Sequence, residues 1–245
     1  MIHYRKPVHH IFIEGPEGFG KSTLFKELKV DFPEASFTKH PTPDFRTKLL
    51  EIEELDTEAQ VKFWLEDFYE AYIQLEKEYF KEEEKDTIPI RLYDRSFCST
   101  IVYQIWQLHK ARTNTWSVEL LDSFEKAILD IYGRGDDQMS VIILNTDVES
   151  LRDKEVMNQF TEPLLSRDTE VKDTVDLLIK PELEKVILNL SRGYHQVQER
   201  FPGVCHFWNY FNCVMFEIDV LDEQKKRKNE DEVYSEVFNL IHSII

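Results

Sequence analysis

The chain has 245 residues, of which 42% are hydrophobic and 13% aromatic, so it can bury one large core. Its formal net charge of −17 disfavours nucleic-acid binding, because most of its surface would repel a phosphate backbone. No apolar run approaches the about 18 residues of a membrane span, and the three cysteines have neither metal-site nor disulfide-framework spacing. These features predict a single cytoplasmic domain over residues 1–245, without a membrane or nucleic-acid partner.

Short β-type runs alternate with helical ones, a pattern typical of an α/β fold with a parallel sheet covered on both faces. The predicted strands are 8–14, 35–38, 88–94, 140–145 and 213–219. The predicted helices are 21–30, 57–84, 96–109, 117–132, 181–200 and 232–245. The segment 147–176 is polar and weakly periodic, so we expect a mobile cover with a helix or two of its own, and a lid insertion over roughly residues 147–180.

A complete phosphate-binding motif, G-x-x-x-x-G-K-[ST], follows the first predicted strand at residues 15–22. Glycines at positions 15, 18 and 20 let backbone N–H groups close around phosphate oxygens. Lys21 would reach the β and γ phosphates, and the Ser22 hydroxyl would bind Mg²⁺. A chance glycine-rich turn is disfavoured, because the strand, loop and helix signals agree. Gly15, Gly18, Gly20, Lys21 and Ser22 therefore predict a nucleotide site.

A second motif places Asp94 and Arg95 at the end of the third predicted strand. The aspartate can complete the Mg²⁺ shell or accept a proton, and the arginine can clamp an acceptor phosphate through two hydrogen bonds. The alternative is that Asp94 caps the helix beginning at Ser96 while Arg95 lies on the surface. The phosphate loop earlier in the chain favours the functional interpretation, and both roles suit phosphoryl transfer.

These two motifs resemble those of the thymidylate kinase family, within the wider nucleoside and nucleotide kinase group. Residues 14–23, EGPEGFGKST, resemble that family's E-G-x-[DE]-G-x-G-K-[ST]-T, which extends the ATP site to Thr23. Residues 94–104, DRSFCSTIVYQ, keep the register of its D-R-x-x-x-S-[ST]-x-A-Y-Q helix, with Val102 in place of the alanine. The resemblance implies a P-loop kinase fold with a five-stranded parallel sheet and a lid, using ATP and Mg²⁺. The implied reaction is phosphorylation of a deoxypyrimidine monophosphate, first of all dTMP, and we expect a homodimer.

The resemblance also implies roles for individual residues. The implied acceptor-binding residues are Glu17 at the sugar 3′-hydroxyl, Arg46 and Arg95 at the phosphate, Thr100 and Gln104 at the base edge, and Phe68 stacked on the base. Tyr72 stands where the family has an arginine that helps to read the base, which leaves the base identity open. In the expected lid, Arg152 and Arg167 are candidates to neutralise charge on the transferring phosphoryl group, with Lys180 as a third.

Two other functional classes remain as alternatives. A deoxynucleoside kinase is a close rival because Asp94-Arg95-Ser96 resembles that group's motif, but Glu17 and the pair Tyr103-Gln104 argue against it. A GTPase-type switch requires Asn-Lys-x-Asp after a strand, which Asn145-Thr146-Asp147 does not match. The basic run 225–228 lies among acidic residues, so it is predicted to be a solvated turn and is assigned no function.

Overall fold

The computed structural model of the protein describes residues 8–39, 90–95, 99, 138–165, 175–199 and 213–245. The strands are β1 (His9–Glu14), β2 (Ser36–Lys39), β3 (Ile90–Asp94), β4 (Gln138–Asn145) and β5 (Val214–Asp219). The helices of the described part are α1 (Lys21–Asp31), α2 (Val148–Leu151), α3 (Lys154–Leu165), α4 (Val175–Glu199) and α5 (Glu230–Ile244). The predicted helices 57–84 and 117–132 lie outside the described residues, as does all of 96–109 except the helical Ser99.

The five strands form one sheet in the order β2-β3-β1-β4-β5, and every neighbouring pair is parallel. The predicted five-stranded parallel sheet is therefore confirmed. Because the strands run in one direction, their carboxyl ends share one edge, where ligands bind in this type of fold. Ile13 pairs with Asp94 and Glu14 pairs with Ile143, so the end of β1 lies between the ends of β3 and β4.

Helices cover both faces of the sheet. On one face, buried residues of β1, β4, α1 and α5 form a continuous core that includes Ile11, Ile13, Ile142, Leu144, Leu24, Leu28, Val237 and Ile241. Side chains alternate along a strand, so Phe12 and Glu14 point to the other face. There, Tyr194 of α4 donates a hydrogen bond to the Glu14 carboxylate. The predicted two-sided cover is confirmed.

The segment expected to be a mobile cover is packed where the structure describes it. In α2 and α3, Leu151, Val156, Met157 and Phe160 are buried and belong to the main core. Positions 156, 157 and 160 share one face of a helix. This apolar stripe is short and its neighbours in sequence are polar, so the periodic signal is weak. Residues 166–174 of the expected lid lie outside the described residues.

Two helices begin earlier than predicted. The helical periodicity predicts a start at Pro181, but α4 begins at Val175 and runs through Pro181. Burial of Ile187, Leu190 and Tyr194 stabilises this helix. The last helix begins at Glu230 instead of residue 232, because Asn229 and Glu232 form a reciprocal capping box. No helix in the described ranges is both long and apolar enough to cross a membrane.

Candidate active site

The phosphate loop requires glycine for reasons of backbone conformation and space. Gly15 and Gly18 have φ angles of +142° and +81°, which side chains of L-residues rarely allow. A Cβ atom on Gly15 would lie 2.3 Å from the Leu144 carbonyl oxygen. One on Gly18 would lie 3.0 Å from the Phe160 carbonyl oxygen. The loop therefore passes tightly between the end of β4 and helix α3.

Helix α1 begins directly at the end of this loop. Gly20 is its left-handed N-cap residue, and its carbonyl oxygen accepts hydrogen bonds from Thr23 N at 3.1 Å and Leu24 N at 3.0 Å. No side chain of the described residues caps this terminus, and its first turn contains no acidic residue. The partial positive charge of the terminus is therefore available to an anionic ligand.

Lys21 is buried inside the loop, with 6% of its surface exposed. Its Nζ donates a 2.5 Å hydrogen bond to the Pro16 carbonyl oxygen. Burial and the nearby Arg95 charge lower the pKa of the Lys21 amine to about 7, although Glu17, Asp94 and Glu14 partly oppose this. A bound phosphate would restore the preference for the charged amine, since an opposite charge would lie beside it.

Arg95 adopts a strained backbone conformation at the end of β3. Its φ is +77°, which costs a non-glycine residue on the order of 1–3 kcal/mol, and its N–H donates to the Ile13 carbonyl oxygen at 2.9 Å. The residue is 6% exposed, and its guanidinium donates to Glu17 Oε1 at 2.5 Å and to Ser99 Oγ at 3.2 Å. The alternative of a surface arginine is wrong. Strain of this kind persists where the surrounding structure enforces it, commonly at functional sites.

A buried carboxylate braces the site from behind. Glu14 is fully buried at the end of β1, where it accepts hydrogen bonds from Ser99 Oγ at 2.6 Å, Tyr194 Oη at 2.9 Å and Ser99 N at 3.2 Å. Ser99 also binds the Arg95 guanidinium. The sequence pattern indicates no role for Glu14 beyond its place in the motif. These hydrogen bonds join β1, Ser99 and α4, and through Ser99 they help to orient the Arg95 guanidinium.

One pocket brings together most of the predicted site residues that the structure describes. Its lining residues are Glu17, Gly18, Gly20, Lys21, Ser22, Thr23, Asp94, Arg95, Pro163, Leu164, Arg227 and Glu230. Gly15 adjoins it, because its carbonyl oxygen lies 3.4 Å from Arg95 Nη1. Ser22 and Asp94 both supply oxygen atoms, and oxygen is the ligand type that Mg²⁺ requires. The donor set of the pocket therefore fits the predicted metal.

Not every predicted residue is found in this pocket. Arg152 is exposed, and its guanidinium pairs with Glu149 at 2.8 Å, outside the pocket lining. Lys180 lies within α4 and is also absent from the described lining. The remaining predicted site residues, which lie outside the described residues, are Arg46, Phe68, Tyr72, Thr100, Gln104 and Arg167.

Arg227 is a lining residue that the sequence analysis missed. It belongs to the basic run predicted to be a solvated turn, yet it is half-buried and reaches the phosphate loop from the connection between β5 and α5. The connection follows the carboxyl end of a parallel strand, where α/β sheets bind ligands, and this position could have indicated that the run lies near the site. Lys225 of the same run pairs with Asp147, the N-cap residue of α2, at 2.9 Å, so the run also contacts the start of that helix.

The sheet order and the complete loop between β1 and α1 define a P-loop kinase fold. A comparison with solved structures matches the crystal structure of thymidylate kinase from Ehrlichia chaffeensis, with a TM-score of 0.53 and 16% sequence identity. The match covers 96% of this chain and 100% of that one. At this identity the likeness shows a thymidylate kinase-like fold. No protein-family model matches the sequence, and no curated protein does.

Proposed function

We propose that the protein is a nucleoside monophosphate kinase that moves the γ-phosphoryl group of ATP to a deoxypyrimidine monophosphate. The preferred acceptor is dTMP, with dUMP or a 5-substituted dUMP as further candidates. One observation carries the proposal: Arg95 is buried, conformationally strained and adjacent to Lys21 and Asp94 in the phosphate-loop pocket. A second anion-binding group beside the first is what transfer between two phosphates needs.

The donor side uses the loop and the start of α1. The backbone N–H groups of the loop and the Lys21 amine bind the β and γ phosphates and stabilise the charge that shifts during transfer. Ser22 and Asp94 would hold Mg²⁺, which neutralises phosphate charge when bound. An oxygen of the acceptor phosphate attacks the γ-phosphorus, and the bond from that phosphorus to the β–γ bridging oxygen breaks. The products are ADP and a nucleoside diphosphate.

The acceptor side uses Arg95, which orients the attacking phosphate. The Glu17 carboxylate that pairs with Arg95 lies beside the same pocket, so an acceptor phosphate shares the guanidinium with it. Glu17 is half-exposed, which leaves it able to turn towards a sugar hydroxyl. On the basis of the sequence resemblance, the proposed acceptor site also contains Arg46, Phe68, Tyr72, Thr100 and Gln104. The proposed lid contributes Arg152 or Arg167.

A coupled ADP-release assay tests the proposal. The panel contains dTMP, dUMP, 5-hydroxymethyl-dUMP and dCMP, together with thymidine and deoxycytidine, each with saturating Mg²⁺-ATP. Activity with the uracil-type monophosphates and none with the nucleosides is expected. If thymidine is phosphorylated with a kcat/KM comparable to that of dTMP, the protein is a deoxynucleoside kinase. Phosphorylation of neither class refutes both.

The proposal includes a cytoplasmic homodimer. Sedimentation velocity at micromolar concentration tests the assembly: a single species near 59 kDa, about twice the 29.3 kDa chain, is expected. A species at the mass of one chain, unchanged by ATP or dTMP, contradicts the dimer without affecting the proposed reaction.

A further inference from the structure

The guanidinium of Arg227 is held against the phosphate loop. Its Nη2 atom lies 3.9 Å from the point where a Cβ atom on Gly20 would be, beside the start of α1. The same pocket is lined by Lys21, Ser22 and Thr23 of the first turn of α1, a helix terminus that no described side chain caps. Arg227 is therefore within reach of any phosphate chain that this loop binds.

The position of Arg227 is fixed by several contacts on α3. Its backbone N–H donates to Gln159 Oε1 at 2.6 Å, and its Nη1 donates to the Gln159 carbonyl oxygen at 3.1 Å. The guanidinium carbon lies 5.4 Å from the centre of the Phe160 ring, and that ring stacks on Phe19 of the loop at 4.4 Å. These contacts orient the arginine before a ligand arrives, so little side-chain entropy remains to be lost on binding.

Arg227 adds a basic side chain to the described lining of the phosphate-loop pocket. Among the described lining residues the basic side chains are Lys21, Arg95 and Arg227, and the acidic ones are Glu17, Asp94 and Glu230. Arg95 is paired with Glu17, towards the proposed acceptor. Residues 148–165 contribute only Pro163 and Leu164 to the described lining, so no cation reaches the pocket from α2 or α3. Lys21 and Arg227 both lie at the start of α1, where the triphosphate of the proposed nucleotide would bring several negative charges.

We propose that Arg227 binds the phosphate chain of the donor nucleotide from the Gly20 side of the loop. This role rests on the proposed use of a donor nucleoside triphosphate. The β5–α5 connection would then help to neutralise phosphate charge, a function that the pattern of the basic run 225–228 does not predict. The contact is a charge-assisted hydrogen bond from a preoriented guanidinium to a phosphate oxygen.

Calorimetric titration with two probes tests this role. Mg²⁺-ATP and Mg²⁺-tripolyphosphate are titrated into the wild type, Arg227→Met, Arg227→Lys and the control Lys226→Met. Lys226 is the exposed neighbour outside the described pocket lining, so its substitution removes the same charge from the same turn. We expect Arg227→Met to weaken both probes by the same factor, roughly 10- to 100-fold. Arg227→Lys should restore part of the affinity, and Lys226→Met should change it less than threefold.

Three outcomes overturn the proposal. A loss confined to ATP, with tripolyphosphate unaffected, means that Arg227 contacts the nucleoside instead of the phosphates. An equal loss in Lys226→Met means that only the overall charge of the turn matters. A failure of Arg227→Lys to recover any affinity, with an unchanged melting temperature, means that the loop geometry and not the charge is responsible. The kinase proposal fails separately, when the wild type binds both probes but phosphorylates no acceptor; if it binds neither probe, both proposals fall.

Discussion

Lys21 and Arg95 occupy different electrostatic settings although they line the same pocket. Lys21 is enclosed by the loop with a carbonyl oxygen as its hydrogen-bond partner, so its charge is poorly compensated. Arg95 has a carboxylate partner in Glu17 and a hydroxyl partner in Ser99. The first arrangement favours a residue that gains its full charge when phosphate binds. The second favours a residue that keeps its charge and orients a second phosphate.

The substitution Lys21→Ala should abolish most activity and leave the fold intact. Loss of one such electrostatic contact lowers kcat by about 10²- to 10³-fold. Stability should not fall, because burial disfavours the charged amine in the folded state. Steady-state kinetics and thermal melting measure the two effects, with Lys26→Ala on the exposed face of α1 as the control. Wild-type turnover by a folded Lys21→Ala variant would contradict the role of this lysine.

Nucleotide affinity should depend on pH through Lys21. The pKa of the amine is about 7 without phosphate, and a bound phosphate raises it, so binding takes up a proton above that pH. Affinity is therefore full below about pH 7 and falls as the pH rises, by at most about tenfold per pH unit. Titration of ADP from pH 6 to 9 measures the slope. The same series on Lys21→Ala removes this contribution, and identical slopes in both proteins would disprove it.

Arg95→Met should raise the acceptor KM and lower kcat together. In the proposed reaction the guanidinium would both position the acceptor phosphate and stabilise the charge of the transition state, and a methionine side chain could do neither. Arg95→Lys keeps the charge but loses the planar pair of donors, so it should recover only part of the activity. Kinetics with varied acceptor at saturating ATP provide the measurement. An effect restricted to the KM of ATP would mean that Arg95 binds the donor nucleotide instead of the acceptor.

At the scale of secondary-structure elements, the site is assembled by helices that are distant in sequence from the loop. Helix α3 packs Phe160 on Phe19, and α4 reaches Glu14 through Tyr194. Glu14 and Tyr194 are 180 residues apart in sequence. The loop is thus supported on one side by aromatic packing and on the other by a buried hydrogen-bond network.

Tyr194→Phe should destabilise the protein by about 1–3 kcal/mol. The ring stays in place, but a buried carboxylate loses one of its hydrogen-bond donors. Urea denaturation measures the free energy of unfolding. The matched control is Tyr234→Phe on α5, where the hydroxyl donates to Asp31 near the surface, and there the loss should be below about 1 kcal/mol. Equal losses of unfolding free energy in the two variants would mean that the hydrogen bond to Glu14 stabilises the protein no more than a surface hydrogen bond does.

At the scale of the whole molecule, the proposed acceptor preference depends on a residue outside the described part of the chain. Tyr72 offers one hydroxyl where the resembled family has a guanidinium with five donors, so the proposed base pocket would lose a strong donor and gain room. We expect relaxed preference at the pyrimidine 5-position, with Gln104 still favouring a uracil-type edge over cytosine. The comparison is kcat/KM for dTMP, dUMP, 5-hydroxymethyl-dUMP and dCMP in the wild type and in Tyr72→Arg. Strict dTMP selectivity in the wild type, unchanged by the substitution, would contradict this role of Tyr72.

The sequence by itself determined the sheet, the loop and the pairing of the two motifs. A phosphate loop consists of contiguous residues with fixed backbone demands, and Gly15 shows how strict they are: a Cβ atom there would overlap the Leu144 carbonyl oxygen. The alternation of strands and helices predicts a parallel sheet, which then brings Asp94 beside β1. These inferences succeed because they depend on local pattern or on a general rule of chain topology.

Only the tertiary structure decided which distant side chains meet at the loop. Helix α3 has few apolar positions in a polar segment, so its packing on Phe19 could not be predicted from the sequence. The start of α4 before Pro181 could not be predicted either. Arg227 is indistinguishable in sequence from its basic neighbours, because all of them lie in one charged turn. Its role follows from which way the turn faces after folding. That direction is set by contacts with α3, and contacts between residues far apart in the chain leave no periodic signal in the sequence.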